Sequence, residues 1–197
     1  MKSKSKELAS CVTQSSASRS SRRGDRSAQE ALQPARFFLG LGSNLGDRCR
    51  NLAQAVHLLA RAEGVQVLRR SSLYESAPIG PPQPRFLNAV VEIRTTLSPA
   101  QLLRACKAIE TALGREDTGR WGPRLIDIDL LLGDAVVAEP LLQVPHLMLH
   151  KRAFALIPLL ELHPEGTHPV LGASLALLLQ ELAEQDLHRV GEFYVDC

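Results

Sequence analysis

"WGPRLIDIDLLLG", Trp121 to Gly133, decides how this chain is read. Successive side chains of a strand point to opposite faces. Ile126, Ile128 and Leu130 therefore share one face, which reads as core. Asp127 and Asp129 share the other, with Cα atoms about 6.5–7 Å apart. Two carboxylates so placed raise each other's pKa unless a cation sits between them. A hard cation such as Mg²⁺ suits the pair, because it takes carboxylate oxygens and keeps positions for water and phosphate. A solvated polar face is the alternative, although Asp is disfavoured in strands. The pair alone leaves both readings open.

The neighbours narrow the choice. Arg120 and Arg124 flank Trp121, Arg115 precedes the polar loop "EDTGR", and His146, Lys151 and Arg152 follow the strand. Any one of these would pass as a surface charge. Gathered around two acids, they form the set that phosphoryl transfer requires, neutralising several oxygens and aligning the reacting groups.

Working outward, the spacing predicts a strand–helix–strand, strand–helix–strand order. "RFFLGLGS" (36–43) is an apolar run closed by glycines, hence a strand. Residues 47–64 form a helix with Leu52, Val56, Leu59 and Ala60 inward, Asp47 at the N-cap and Gly64 at the stop. Residues 65–76 and 86–97 read as strands, separated by "APIGPPQPR" (77–85), whose prolines remove donors and forbid regular structure. The helix over 98–115 has Ser98 as cap, Pro99 in the first position and Gln101 completing a capping box. Leu102, Cys106, Ile109 and Leu113 form its buried stripe. Residues 124–133 close the set as a strand, and helices are predicted over 151–162 and 174–185. This is a ferredoxin-like α+β sandwich, an antiparallel sheet with flanking helices on one face and the other face open to ligands.

Composition sets bounds. Of the 197 residues, 45% are hydrophobic, enough for one sizeable core. Eight basic and three acidic residues lie in the first 36, a net of +5, so the remainder carries −3. Residues 1–34 read as a disordered Ser/Arg-rich extension, mildly similar to a transit peptide, and 35–197 as a single domain. An acidic body argues against nucleic acid as partner. Cys11, Cys49, Cys106 and Cys197 form no CxxC pair, which suggests free thiols in a reducing compartment. No apolar run is long enough for a membrane span. A cytoplasmic monomer is expected.

The blocks "LGLGSNLGDR" (39–48), "SSLYESAPIGPPQPRFLNAVVEI" (71–93), "IETALGR" (109–115), "RWGPRLIDIDLLL" (120–132) and "VPHLMLHKRAFALIPLLELHPE" (144–165) together resemble the 6-hydroxymethyl-7,8-dihydropterin pyrophosphokinase family of folate synthesis. The resemblance implies transfer of pyrophosphate from ATP to a pterin alcohol, with release of AMP. It implies that Asp127 and Asp129 hold two Mg²⁺ ions and that Arg115 and Arg124 steady the moving charge. Lys107, Glu110, Trp121, Arg124, His146 and Arg152 match ATP-contacting positions. Ala77, Pro78, Ile79, Phe86, Asn88 and Phe154 match the pterin site. An amide such as Asn88 suits the ring's polar edge because it both donates and accepts. Core packing of the two phenylalanines, and a backbone-bonded Asn88, are the other readings of these residues.

The chain departs from the family in places. The 115–121 loop is slightly shorter and carries Glu116 and Asp117 where basic residues are frequent. Leu141 and Leu147 stand where an arginine and an aromatic or proline occur. "GLGSNLGD" lacks the Lys-Ser/Thr of a phosphate loop, so Gly40 and Gly42 read as architectural. Too little chain follows residue 165 for a dihydropteroate synthase domain. A ferredoxin-like nucleic-acid module, a ligand sensor and a nucleotidyltransferase are the rival readings. Deleting residues 1–34 should leave the kinase active but cost the module its binding, and release of AMP separates the kinase from the other two.

Overall fold

A computed structural model describes residues 33–116, 119 and 122–194. Trp121, Arg120, Asp117 and nearly all of the expected extension lie outside these residues.

The "RFFLGLGS" run forms β1 (Ala35–Ser43), buried on both faces. It is followed by α1 (Arg48–Arg61), in which the Asp47 side chain accepts from the Arg50 N–H. The strand expected over 65–76 is two strands, β2 (Val65–Arg70) and β3 (Leu73–Ser76). The break falls where Ser71 Oγ accepts from the Val90 N–H at 2.9 Å, so a side chain takes over one rung of the ladder. β4 (Phe86–Thr95) leads to α2 (Pro99–Ala112), whose Ser98–Gln101 capping box is present. β5 (Asp127–Gly133) starts three residues later than expected.

A hairpin of β6 (Val137–Glu139) and β7 (Leu142–Val144) then precedes α3 (Ala153–Leu162). α4 (Leu175–Gln180) is capped by Ser174 and shorter than expected, and β8 (Leu187–Gly191) ends the described fold. The sheet order is β5-β1-β4-β3-β8, with β2 also against β4, and every pairing is antiparallel. Counting β2 and β3 as one split strand, the first four members follow the ferredoxin plan.

One correction concerns the two faces. Phe37, Leu39, Leu41, Ile128 and Leu130 pack with Leu52, Val56, Leu59, Leu102, Cys106 and Ile109 of α1 and α2. Ala60 is exposed, and Ala53 and Ala55 are buried in its stead. The opposite face is not open along its length. Phe38, Val90, Leu131 and Leu132 there pack with Leu156 and Leu159 of α3 and Leu175 and Leu178 of α4. The apolar, proline-containing α3 gave no clear helical stripe, so its second packing face was not legible. Ligand space is confined to the part of this face that α3 and α4 leave uncovered. No helix among the described residues is long and apolar enough to cross a membrane.

The end of β5 is tightly packed. Gly133 pairs with Phe37, and a Cβ there would lie 2.4 Å from Phe37 Cδ1. The ring is fully buried and has little room to yield. Gly133→Ala is therefore expected to cost about 1–3 kcal/mol, read from the urea midpoint. A loss below about 0.5 kcal/mol would show that the ring slides aside freely.

Candidate active site

The ladder builds the floor of the site. Asp127, Gly42, Asn88 and Tyr74 stand in register across β5, β1, β4 and β3. Asp129, Gly40 and Val90 form the next row. Directly paired residues of an antiparallel ladder share a face. Asp127 and Asn88 are thus two strand spacings apart, about 10 Å. The glycines between them keep the floor low. A Cβ at Gly42 would lie 3.5 Å from Asn88 Oδ1 and 3.7 Å from Phe86 Cδ1, so any larger group would occupy ligand space. Both glycines are strand residues without positive φ, in keeping with an architectural role.

Above this floor lies a cavity of about 330 Å³. Lys107, Arg115, Arg124, Asp127, Asp129, His146 and Arg152 line it, as do Ala77, Ile79, Phe86, Asn88 and Phe154. Pro78 is not among the lining residues, although both its neighbours are. Glu110 lies behind the cavity, where it lines an adjoining cleft with Lys107, Thr111, Arg115, Glu116, Gly119 and Arg124.

The acids differ in their surroundings. Arg115 Nη1 donates to Asp127 Oδ1 at 2.6 Å and Arg124 Nη1 to Oδ2 at 3.0 Å. Burial pushes the Asp127 carboxyl up, but the charges of Arg124, Arg115 and Lys107 together outweigh it and hold the group below its ordinary range. Among the described residues the ion pairs of Asp129 are longer, 3.7 Å to Arg152 Nη1 and 3.9 Å to His146 Nε2. Burial, reinforced by the Asp127 charge, pushes its carboxyl up to about 6. A carboxylate so crowded by a like charge is what a cation would relieve. Among the described residues no three His, Cys, Asp or Glu side chains converge as a metal cage. Two carboxylates that leave the remaining positions to water and phosphate oxygens fit Mg²⁺.

His146 accepts the Met148 N–H at Nδ1, 3.0 Å away. A neutral ring therefore carries its proton on Nε2, the atom nearer Asp129. Burial, helped by the Arg152 charge, lowers its pKa to about 4, so near neutrality the ring is uncharged and Nε2–H is a donor available to a ligand. Arg152 also lies 5.7 Å from the Phe154 ring centre, within cation–π range.

Glu110 is 2% exposed. Its Oε1 accepts the Ile128 N–H at 2.7 Å and the Lys107 ammonium at 2.8 Å, and its Oε2 meets Arg115 Nη1 at 2.6 Å. It braces α2 against β5 and holds Arg115 toward Asp127. Asn88 Nδ2 donates to Ser76 Oγ at 3.0 Å and to the Tyr74 carbonyl at 3.3 Å. Its donors are thus used within the sheet, one on backbone and one on a side chain, and its Oδ1 is the atom nearest the Gly42 gap.

Some participants gave no signal in the sequence. Asn44 is 2% exposed. Its Nδ2 donates to Gln83 Oε1 at 2.9 Å and to the Pro84 carbonyl at 3.2 Å, while its Oδ1 accepts the Arg124 N–H at 2.7 Å. It thereby ties the proline-rich loop to the arginine segment, and only an unusually buried Asn after a strand could have hinted at it. Arg48 and Arg85 both pair with Glu75, at 2.7 and 3.1 Å.

Comparison with known proteins agrees with this geometry. Residues 38–164 match the family model of 7,8-dihydro-6-hydroxymethylpterin-pyrophosphokinase. A 2-amino-4-hydroxy-6-hydroxymethyldihydropteridine pyrophosphokinase of Methylorubrum extorquens is 48% identical over 132 residues, 66% of this chain and 84% of that protein. The folic acid synthesis protein fol1 of Schizosaccharomyces pombe is 42% identical over 158 residues, 79% of this chain, which spans only 22% of that longer protein. A crystal structure of wild-type Plasmodium falciparum HPPK-DHPS with pterin and p-hydroxybenzoate superposes with a TM-score of 0.61 at 18% identity, covering 77% of this chain and 42% of that one, and supports the fold. With most of its folded length matched by the family model, this chain belongs to the 7,8-dihydro-6-hydroxymethylpterin-pyrophosphokinase family.

Proposed function

We propose that this protein transfers the pyrophosphoryl group of ATP to the hydroxymethyl oxygen of 6-hydroxymethyl-7,8-dihydropterin and releases AMP, a step of folate synthesis. The observation that carries the reading is a single cavity that joins an acid pair and a cluster of cations on β5 and its surroundings to an amide and two aromatic rings on β4 and α3. Family membership and the pyrophosphokinase names of its relatives agree with it.

In this reading the triphosphate lies over Asp127 and Asp129. Mg²⁺ held by these carboxylates, two ions in our proposal, would supply charge neutralisation and Lewis-acid polarisation of the phosphates. Arg115 and Arg124 exchange part of their contact with Asp127 for phosphate oxygens and follow the charge that passes to AMP. His146 Nε2–H and Arg152 hold further oxygens, and Lys107 and Glu110 border the nucleotide cleft. Trp121 is a further nucleotide contact in this proposal. The pterin lies against Phe86 and Phe154, and Asn88 Oδ1 accepts from its polar edge. The Ala77, Pro78 and Ile79 segment closes one side with backbone groups. Closure of the proline-rich loop excludes water that would otherwise take the phosphoryl group.

We place the catalytic domain at 35–197, with 1–34 as an appended extension. β8 pairs with β3, and Phe193 packs in the core beneath α1 and α2, which supports including the chain through Phe193 in this domain. We further propose a cytoplasmic monomer whose partners are its two small substrates; the net −3 of the chain beyond residue 36 argues against nucleic acid as a partner.

The test is Mg²⁺-dependent product formation from ATP and the dihydropterin alcohol. Equimolar AMP and pterin diphosphate are expected. Pyrophosphate as product would point to a nucleotidyltransferase, and binding without any product to a sensor.

A further inference from the structure

Two adjacent residues beyond the family match, Gln185 and Asp186, hold both walls of the cavity. The first wall is the start of α3, whose own N-cap residue, Arg152, supplies no side-chain cap. Gln185 supplies it from a distance. Its Oε1 accepts the Ala153 N–H at 3.0 Å, and its Nε2 donates to the Lys151 carbonyl at 3.2 Å. These bonds bracket Arg152 and precede Phe154, both of which line the cavity. Free N–H groups in a helix's first turn need such partners, and a side chain that meets them fixes the entry of the chain.

The second wall is the proline-rich loop, and Asp186 holds both its ends. The Asp186 carbonyl accepts the Ala77 N–H at 3.0 Å. Its carboxylate takes both Nη atoms of Arg85, at 2.5 and 2.8 Å, in a two-point fork. Ala77 and Arg85 are the first and last residues of that loop. Immediately afterwards β8 pairs with β3, Leu187 with Ser76 and His188 with Glu75, so the dipeptide is anchored to the sheet itself.

We infer that Gln185 and Asp186 are positioning residues that set the spacing between the α3 wall and the proline-rich loop, and hence the fit of the flat pterin between them. The inference rests on the function proposed above. Arg115 and Arg124, on the phosphate side, are held by Glu110 and Asn44, so nucleotide binding depends on this dipeptide only through Arg152, which Gln185 brackets. Exposed ion pairs contribute little to stability, so an effect on pterin binding will exceed any effect on folding.

The test uses the full chain with Mg²⁺ and α,β-methylene-ATP, whose bridging carbon blocks transfer. Affinity for 6-hydroxymethylpterin is read from the ligand's own fluorescence. Gln185→Ala and Asp186→Ala are each expected to weaken pterin binding about tenfold. Affinity for the ATP analogue is expected to stay within about twofold in Asp186→Ala and to fall less than pterin affinity in Gln185→Ala, with Tm within about 2 °C in both. Gln185→Glu keeps an acceptor for the Ala153 N–H but loses the donor to the Lys151 carbonyl, so it should bind pterin more weakly than wild type and more tightly than Gln185→Ala. Unchanged pterin affinity in both alanine variants overturns the inference. So does an equal loss of both ligands with a lowered Tm, or a Gln185→Glu variant as weak as the alanine one. A wild-type protein that binds the nucleotide analogue but no pterin overturns the proposed function, and this inference with it.

Discussion

Asp127→Ala is expected to lower the rate of AMP release by about a thousandfold or more while leaving the protein folded. The side chain is 23% exposed and sits between two arginines that are themselves partly solvated, Arg115 at 26% and Arg124 at 19%. Its removal therefore leaves cations that water can reach, and the core face of β5 is untouched. What is lost is the carboxylate that the arginine charges keep ionised, which the proposed mechanism uses as one of two anchors for a cation on the triphosphate. Asp127→Asn keeps the shape and removes the charge, and should fall nearly as far. Turnover within about tenfold of wild type in either variant would show that Asp127 does not carry the chemistry assigned to it.

The largest effect on stability is expected at Glu110. Glu110→Ala should lower the unfolding free energy by about 3 kcal/mol, measured by urea denaturation. The cost has three sources. The buried Ile128 N–H loses its acceptor, Lys107 and Arg115 lose their shared counter-charge, and a void opens between α2 and β5. Glu110→Gln keeps an acceptor for the Ile128 N–H and should lose clearly less. Activity should fall in both, because Arg115 is no longer held toward Asp127. If Glu110→Ala lost under about 1 kcal/mol, the carboxylate would not be the brace described above.

These two residues also show where the chain could be read and where it could not. Asp127 was legible because its signal is local. Period-two alternation over 126–130 assigns each side chain to a face without knowledge of any other element. The capping box at Ser98 and Gln101 and the apolar stripe of α2 were legible for the same reason, since turns and caps depend on residues three or four apart. The motif blocks added the expected roles of Arg115, Arg124, His146 and Arg152, and the fold brings these four into one cavity.

Glu110 as a brace was not legible. Nothing between residues 110 and 128 announces that a helix carboxylate will cap a strand amide 18 positions later. The same holds for Asn44, which bonds residues 39, 40 and 80 positions away. β8 offered no alternating stripe, because as an edge strand it is mostly exposed. The covering of the second face by α3 and α4 likewise depends on packing between distant elements, and it limits the ligand space to one end of the sheet.

Strand and helix identity, the inward and outward faces of β5, and the presence of an acid pair among cations all follow from short-range stereochemistry, and the chain carries them openly. Which carboxylate is held ionised, which is pushed up, how wide the cavity stands and what grips its walls all depend on desolvation and on partners far along the chain. Those energies exist only once the sheet has closed, which is why the folded form was needed to find them.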